Sequence, residues 1–469
     1  MKNKYKYIII CLLVSLTSCN SWLDVDLVNK IDEEKLFGSK QGFYEALAGV
    51  YSEMSKSSLY GETLTMEYLD IYAGYYDSNN ANYIYHLKYD FKNSAVANVH
   101  SSIWSNMYKC IASCNNILEW ADKKSSLFSK AEKDQIKGEA LALRAFLHFD
   151  LYRMFCPDVK LAPKDDGIPY NKEFGVSLPP IYSVEEVVQL VVNDLLEAEV
   201  LLTNDPITTV IPYELGYDEQ NELINKDQAD KYVARMNLYA VKAMKARVYQ
   251  ARGENVKAIA AAKEVIESEK FRLLDFNSVD KDDNMVDMLF SDEHIFSLRN
   301  KDLQDYSKDL HYDVINEGST MSKKLSFSNL YSVYESNNDD ARYVKWNSID
   351  DFIKYTVENT DNFFRKMPII KLSEMYLIIS ECSYSIDKNQ SLEYVNTLRD
   401  HRIRNNSHWT SITKEYIMQE IRREYLCEGQ LWYAYKRNNL AISGVTVDEG
   451  TNVFVFPMPQ NEIEDGNRN

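Results

Sequence analysis

Apolar residues recur at helical spacing along most of the chain. In the first such stretch, 41–55, four apolar residues follow one another at intervals of three or four positions: Phe43, Leu47, Val50 and Met54. Residues at this spacing share one face of a helix, so the pattern predicts an amphipathic helix. The same pattern predicts further helices at 103–120, 130–155, 184–202, 232–252, 255–269, 372–385, 392–404 and 414–437.

Boundary signals support several of these helices. Ser183 stands before an apolar run with Glu186 three residues later, which predicts a capping box. Pro157 follows the helix predicted at 130–155, and the residue before a proline avoids the helical region. Gly253 stands between two predicted helices and favours a left-handed turn that joins them.

Paired helices and long irregular segments alternate along the chain. Small and aromatic residues echo the pattern of a tetratricopeptide repeat at Ala243, Ala246, Tyr249, Gly253, Ala258 and Ala261. Segments rich in Asn, Asp, Gly and Pro separate the helices at 59–98, 159–182, 203–228, 271–366 and 438–469. Loops of this length are usually functional or contain small elements of their own. The predicted fold is therefore mainly α, a tetratricopeptide-like helical bundle with long irregular insertions.

The first residues have the features of an export signal. Three lysines come first, Lys2, Lys4 and Lys6. An uncharged apolar run follows at 7–16, and residues 16–19 read Leu-Thr-Ser-Cys, which is similar to the lipobox of bacterial lipoproteins. An ordinary signal peptide and an N-terminal membrane helix are the alternatives, but the run is shorter than the about 20 residues that span a bilayer. We expect residues 1–18 to be removed and Cys19 to carry acyl chains that anchor one long domain, 19–469.

The charge of the chain argues against nucleic acid as a partner. Asp and Glu number 71 against 53 Lys and Arg, a formal net charge of -18. Such a chain repels phosphate backbones and anionic lipid surfaces. Membrane attachment is therefore assigned to the acyl chains. Five cysteines beyond the signal form no pattern of disulfide or zinc spacing and are interpreted as small buried hydrophobes: Cys110, Cys114, Cys156, Cys382 and Cys427.

Enzyme signatures are missing from the sequence. It contains no glycine-rich nucleotide loop, no His-Glu-x-x-His and no Gly-x-Ser-x-Gly. His148, inside a predicted helix, is interpreted as a packing residue. Glu424 and Glu428, which follow Arg422 and Arg423, are interpreted as members of structural ion pairs. The sequence predicts no catalytic residue, metal or cofactor, although a pair of carboxylates for sugar hydrolysis stays open.

The segment 68–91 is the candidate ligand site. Tyrosines and Phe91 alternate there with Asn, Asp and His. Aromatic rings stack on the apolar faces of sugars, while amides and carboxylates pair with hydroxyl groups. The candidate ligand-binding residues are Tyr75, Tyr76, Asn82, Tyr83 and Tyr85, with Tyr306 from the later insertion. The alternative is that most of these rings pack the segment onto the bundle.

Five stretches, in the same order along the chain, resemble the SusD/RagB family. They are RAFLHFDLYRMF at 144–155, GIPY at 167–170, PIIKLSEMYL at 368–377, RREYLCEG at 422–429 and FPMPQNEI at 456–463. The stretch WLD at 22–24, just after the lipobox, fits as well. The resemblance therefore extends over nearly the whole of 19–469, with an N-terminal part at about 19–230 and a C-terminal part at about 231–469.

The resemblance implies a function. Members of this family are surface lipoproteins of the bacterial outer membrane, built on four tetratricopeptide-like units. They partner a SusC-type TonB-dependent barrel transporter and deliver oligosaccharide, or in some members peptide, to its pore. They are not enzymes, and their ligand surface lies largely after the first helix. We therefore expect a glycan-binding lipoprotein, with a peptide-binding member, an envelope scaffold and a glycosidase as the alternatives.

Overall fold

The computed structural model describes residues 33–77, 81–175, 178–215, 227–274, 288–311, 325–327, 330–334, 339–346, 352–355, 366–405, 408–447 and 450–466. Cys19, the signal at 1–18 and the stretch 22–24 lie outside these residues. Their predicted roles stay predictions.

Helices dominate the described residues, as predicted. In the N-terminal part they are α1 Lys40–Met54, α2 Tyr68–Tyr72, α3 Ile84–Leu87, α4 Ser94–Lys123, α5 Lys130–Phe155 and α6 Val184–Leu201. In the middle they are α7 Asp227–Val233, α8 Leu238–Arg252, α9 Asn255–Ile266, α10 Leu303–His311, α11 Leu330–Val333 and α12 Ala341–Trp346. In the C-terminal part they are α13 Leu372–Ser383, α14 Lys388–Asp400, α15 Lys414–Glu424, α16 Leu431–Asn438 and α17 Gln460–Asp465.

The long helices form a stack in which each packs on its neighbours. At one end of the stack, α1 packs on α4, α4 on α5 and α5 on α6. The stack continues as α6 packs on α8, α8 on α9, α9 on α13 and α13 on α14. This neighbour-to-neighbour order is that of a helical repeat protein, in which each pair buries its apolar face against the next. In α5, every residue from Gly138 to Phe155 is buried. The stretch that carries part of the family resemblance therefore lies in the centre of the core.

The caps form where the sequence predicts them. Ser183 and Glu186 make the capping box that begins α6, with the Ser183 backbone N–H donating to the Glu186 carboxylate at 2.9 Å. Gly253 ends α8 in the left-handed region at φ 73°. The predicted helix 232–252 divides at Asn237, whose side chain caps α8 by accepting from the Ala240 N–H.

Two short antiparallel strand pairs lie within the segments that the sequence marks as irregular. Strand β1 (Asp166–Pro169) pairs with β2 (Ile181–Ser183), and β3 (His294–Arg299) pairs with β4 (Lys366–Lys371). The second pair places Arg299 opposite Lys366. It therefore fixes the position from which the chain leaves β3 and enters α10.

The helix predicted as one stretch at 414–437 is two helices, α15 and α16. Cys427 and Gly429, with φ 59° and 66°, turn the chain between them. The Asp70 carboxylate holds this turn by accepting the N–H groups of Cys427 at 2.7 Å and Gly429 at 3.2 Å. The single-helix prediction fails because the backbone at Gly429 lies directly against the backbone of Leu64. A Cβ built on Gly429 would lie 1.9 Å from the Leu64 carbonyl oxygen. Glycine fits this close approach, and its left-handed conformation interrupts the regular helix.

The interior is a continuous apolar cluster from Phe37 to Phe456. The five cysteines predicted to be small buried hydrophobes are buried and free of disulfides. Among the helices that the structure describes, we find none with the length and apolar character needed to cross a bilayer.

Candidate functional site

The aromatic segment 68–91 turns most of its rings inward. Tyr75, Tyr76 and Tyr83 are 0%, 4% and 5% exposed. At these three positions the rings pack the segment onto the bundle, which is the alternative left open by the sequence. Tyr85, at 44%, and Asn82 are exposed. The ligand contacts predicted for this segment stay predictions.

Each of the three buried rings has a partner for its hydroxyl, which explains the inward orientation. The Tyr75 hydroxyl donates to the Arg422 carbonyl at 2.5 Å. The Tyr76 hydroxyl donates to the Met66 carbonyl at 2.6 Å, and the Tyr83 hydroxyl donates to the Glu67 carboxylate at 2.8 Å. A buried tyrosine is stable when its ring packs and its hydroxyl is satisfied. Burial raises the pKa of all three phenols, so they remain neutral donors.

An open cleft of about 660 Å³ lies between the C-terminal half of α1 and the start of α10. We call it the α1–α10 cleft. The residues that line it are Ala48, Tyr51, Ser52, Ser55, Lys56, Ala234, Arg299, Asn300, Lys301, Asp302 and Tyr306. Its volume falls within the range of about 300–1,000 Å³ that is typical of small-ligand sites. Tyr306, one of the predicted ligand residues, is half-buried in its wall.

Tyr51 forms a fixed part of the cleft wall. Its hydroxyl donates to Glu139 at 2.6 Å and accepts the Met236 N–H at 2.8 Å. Burial, together with the neighbouring Glu139 carboxylate, raises the pKa of Tyr51. The hydroxyl is therefore engaged on both sides, and the ring is the part of Tyr51 that can serve a ligand.

The junction between β3 and α10 builds the opposite wall. Asn300 is 5% exposed, and its side-chain oxygen accepts the Asp302 N–H at 3.0 Å. The Asn300 backbone carbonyl accepts from the Leu303 N–H at 3.4 Å. Within the described residues, Asn300 Nδ2 has no hydrogen-bond partner. The cleft therefore has a buried amide donor in its wall, held in orientation by the start of α10.

Positive charge prevails among the side chains that line the cleft. Lys56, Arg299 and Lys301 are exposed cations, and Asp302 is the acidic residue of the lining. Lys56 pairs with Glu53 at 2.7 Å, which lowers the pKa of that carboxyl.

The other two cations differ in their ion pairs. Arg299 lies 3.4 Å from the Asp230 carboxylate. In the part of the chain that the structure describes, Lys301 makes no ion pair. A ligand can therefore engage its ammonium group without breaking an ion pair among the described residues.

Helix α10 connects the cleft to the aromatic segment. At its C-terminal end, His311 Nε2 lies 3.0 Å from the Tyr76 hydroxyl, and the His311 ring stacks on Phe327. Phe327 in turn forms a backbone bridge with Tyr76. The structure thus gives Tyr76 a supporting position, because it holds the end of the helix whose first turns present Tyr306.

Glu424 and Glu428 lie in a buried ionic network, as the structural interpretation predicts. Glu424 accepts from Arg402 and Lys371, each at 3.0 Å, and Glu428 lies 2.7 Å from the same lysine. Arg342 also contacts Glu424 at 3.0 Å. The nearby cations lower the pKa of Glu424 against the opposing effect of burial. Both carboxylates are therefore paired with cations inside the protein, and neither lines the α1–α10 cleft.

Most of the residues that line the cleft carry no clear signal in the sequence. Tyr51 lies in a predicted amphipathic helix, and nothing else in the sequence marks it as part of a ligand site. The run Asn300-Lys301-Asp302, polar and placed directly after an apolar strand, is the signal that could have drawn attention to this junction. The sequence does not show that these residues face 48–56, because more than two hundred positions separate the two walls.

Known proteins match most of this chain. Residues 21–213 match a family described as "Starch-binding associating with outer membrane", and residues 318–454 match the SusD family. A SusD-like protein of Formosa agariphila is 25% identical over 162 residues, which are 33% of this chain and 31% of that protein. The chain thus spans about a third of the length of this curated relative.

Solved structures share the fold. A SusD superfamily protein from Bacteroides thetaiotaomicron superposes with a TM-score of 0.69 at 21% identity, covering 91% of this chain and 98% of that one. One from Bacteroides vulgatus gives 0.68 at 19% identity, covering 92% and 98%. A laminarin-binding SusD-like protein gives 0.64 at 18% identity, covering 91% and 97%.

Proposed function

We propose that this chain, which belongs to the SusD/RagB family, binds oligosaccharides at the bacterial outer membrane without cleaving them. The observation that carries the proposal is the α1–α10 cleft, which combines a half-buried ring, hydroxyl groups and an amide N–H donor that has no partner among the described residues. These are the groups that sugar recognition uses: a ring for the apolar face and polar atoms for the hydroxyls. The relative that binds laminarin supports the ligand class.

The wider role follows from the family and the first residues. Cys19 carries the acyl chains that hold the protein at the outer membrane, facing the cell surface. A SusC-type TonB-dependent barrel receives the captured oligosaccharide. Affinity purification of the tagged, full-length protein from its own outer membrane tests this role. A TonB-dependent barrel should co-purify, and recovery of the protein without one would contradict the delivery role.

Binding can be tested with a soluble chain that begins after Cys19. Isothermal titration against laminarin oligosaccharides, starch oligosaccharides and a wider glycan panel should show binding to at least one glycan. Tyr306→Ala should weaken that binding by roughly tenfold, because truncating an aromatic anchor costs more than about 1 kcal/mol and 1.4 kcal/mol is one decade. Product analysis after long incubation should show intact oligosaccharide.

Tyr44→Ala is the matched control. Tyr44 lies on α1, is 42% exposed and does not line the cleft, so its loss should leave affinity unchanged. If Tyr306→Ala and Tyr44→Ala weakened glycan binding equally, the cleft would not be the binding site. Titration against a peptide library belongs in the same experiment, because binding to peptides and to no glycan would establish the peptide-binding alternative.

A further inference from the structure

We infer that the α1–α10 cleft selects acidic oligosaccharides, whose sugars carry carboxylate or sulfate groups. The inference rests on the proposed function, since it names the substrate class of the same cleft. It starts from a contrast of charge. The whole chain carries a formal net charge of -18, whereas the cleft lining holds three cations and one carboxylate.

The cations reach the cleft from both walls. Lys56 is at the end of α1, whereas Arg299 and Lys301 flank Asn300 at the start of the opposite wall. A ligand between the walls therefore has positive charge on two sides. Surface charges act over about 8 Å at physiological ionic strength, so the acidic residues elsewhere on the protein are largely screened from a bound ligand.

Lys301 is the strongest anchor for an anionic group. It is exposed, and within the described residues it has no carboxylate partner. Lys56 and Arg299 each have one, in Glu53 and Asp230. A ligand carboxylate can therefore pair with the ammonium group of Lys301. It can also share Lys56 and Arg299 with the carboxylates that already contact them.

Asn300 gives the second independent observation. Its side chain is almost completely buried, it lines the cleft, and its Nδ2 donor is without a partner in the described structure. A buried donor of this kind is costly unless a ligand or water satisfies it. Amide and ammonium donors side by side suit the oxygens of a carboxylate or sulfate, because charge-assisted hydrogen bonds are the stronger ones.

A neutral glycan fits this lining less well. A site built for neutral sugars depends on rings and on acceptors that pair with hydroxyl donors. Here Tyr51 has both sides of its hydroxyl engaged, and Asp302 is the carboxylate acceptor of the lining. The three cations of the lining outnumber its single carboxylate, which matches a ligand rich in anionic oxygens.

Titration of the soluble chain with two tetramers tests the inference, a galacturonate tetramer and a neutral β-1,3-glucan tetramer. The uronate should bind roughly tenfold more tightly, as expected when a charge-assisted hydrogen bond replaces a neutral one. Lys301→Gln should remove this difference, because it weakens uronate binding far more than binding of the neutral tetramer. Lys301→Arg should retain it, and added salt should weaken uronate binding alone.

Lys35→Gln is the control, since Lys35 is an exposed lysine outside the cleft and its loss should change neither affinity. Equal affinity for both tetramers, each weakened by Tyr306→Ala, would overturn the acidic selectivity and keep glycan binding. Binding to a neutral glycan of the wider panel, and to no uronate or sulfated oligosaccharide, would also overturn the selectivity alone. Binding to no glycan of the panel by a folded protein would overturn both proposals. Binding to an acidic peptide such as tetraglutamate, and not to the uronate, would replace the sugar class with peptide.

Discussion

At the scale of single residues, the tyrosines of 68–91 divide by what their hydroxyl groups contact. Tyr75 and Tyr76 donate to backbone carbonyls and are buried, whereas Tyr85 has 44% of its surface exposed. The sequence does not distinguish them, because all three stand among similar polar neighbours. Their difference is set by partners such as Arg422, hundreds of positions away in the chain.

The burial of Tyr75 predicts a stability effect. Tyr75→Ala should lower the free energy of unfolding by about 3–5 kcal/mol, the range for large aromatic truncations in a core. Tyr85→Ala should stay within about 0.5 kcal/mol, as surface substitutions do. Urea unfolding of both variants measures the contrast, and similar small losses would show that the Tyr75 ring is outside the core.

Two buried histidines predict a pH effect. The Tyr72 hydroxyl lies 2.7 Å from His86 Nδ1 and 3.1 Å from His100 Nε2. Burial lowers the pKa of His86 to about 4 and that of His100 to about 3. The unfolded chain, with histidine pKa near 6.5, binds more protons, so stability is lost as the pH falls from about 6.5 towards 4. In this range the free energy of unfolding should fall by up to about 1.4 kcal/mol per pH unit for each histidine.

Urea unfolding across this pH range measures the slope. His86→Asn and His100→Gln place an amide near the contacted ring nitrogen and remove the titration, so each should flatten the slope whatever its effect on absolute stability. His408→Gln is the control, because that side chain is 60% exposed. An unchanged slope in both buried variants would assign the acid sensitivity to other groups, among them the buried His148, whose pKa burial also lowers, and the carboxylates.

At the scale of elements, the sequence predicts what local rules determine. The capping box at Ser183 and the left-handed turn at Gly253 depend on neighbouring residues, and both form as expected. The division of 414–437 was missed because it depends on Leu64 and Asp70 from the other end of the chain. The α1–α10 cleft was missed for the same reason, since its two walls come from distant segments.

The turn between α15 and α16 predicts a sharp contrast between two glycines. Gly429→Ala should destabilise by about 3 kcal/mol or more, since a left-handed conformation and an overpacked Cβ each add cost. Gly444, with φ 78° and no atom within 4 Å of a built Cβ, carries only the first cost. Gly444→Ala should therefore lose about 1–2 kcal/mol in urea unfolding. Equal losses would mean that the Leu64 backbone yields easily.

At the scale of the whole molecule, the proposed lipid anchor at Cys19 predicts where the protein resides. Cys19→Ala should abolish fatty-acid labelling and move the protein from the membrane fraction to the soluble one, because stable anchoring needs more than one acyl chain. Cys11→Ala, within the signal, is the matched control and should leave both unchanged. An alanine variant at Cys19 that still labels and sediments with membranes would exclude lipidation at this position.

The contact between Asp70 and the turn at Cys427 and Gly429 also bears on the order in which the protein can fold. Its partners are separated by 357 and 359 positions. During synthesis, the Asp70 carboxylate and the Tyr75 ring cannot be buried until almost the whole chain has been made. Contacts between residues so far apart in the chain form slowly. A chain that stops before residue 420 should therefore stay open to protease at 68–91. The core around 68–91 is therefore completed only near the end of synthesis, and until then its aromatic rings lack the partners that bury them.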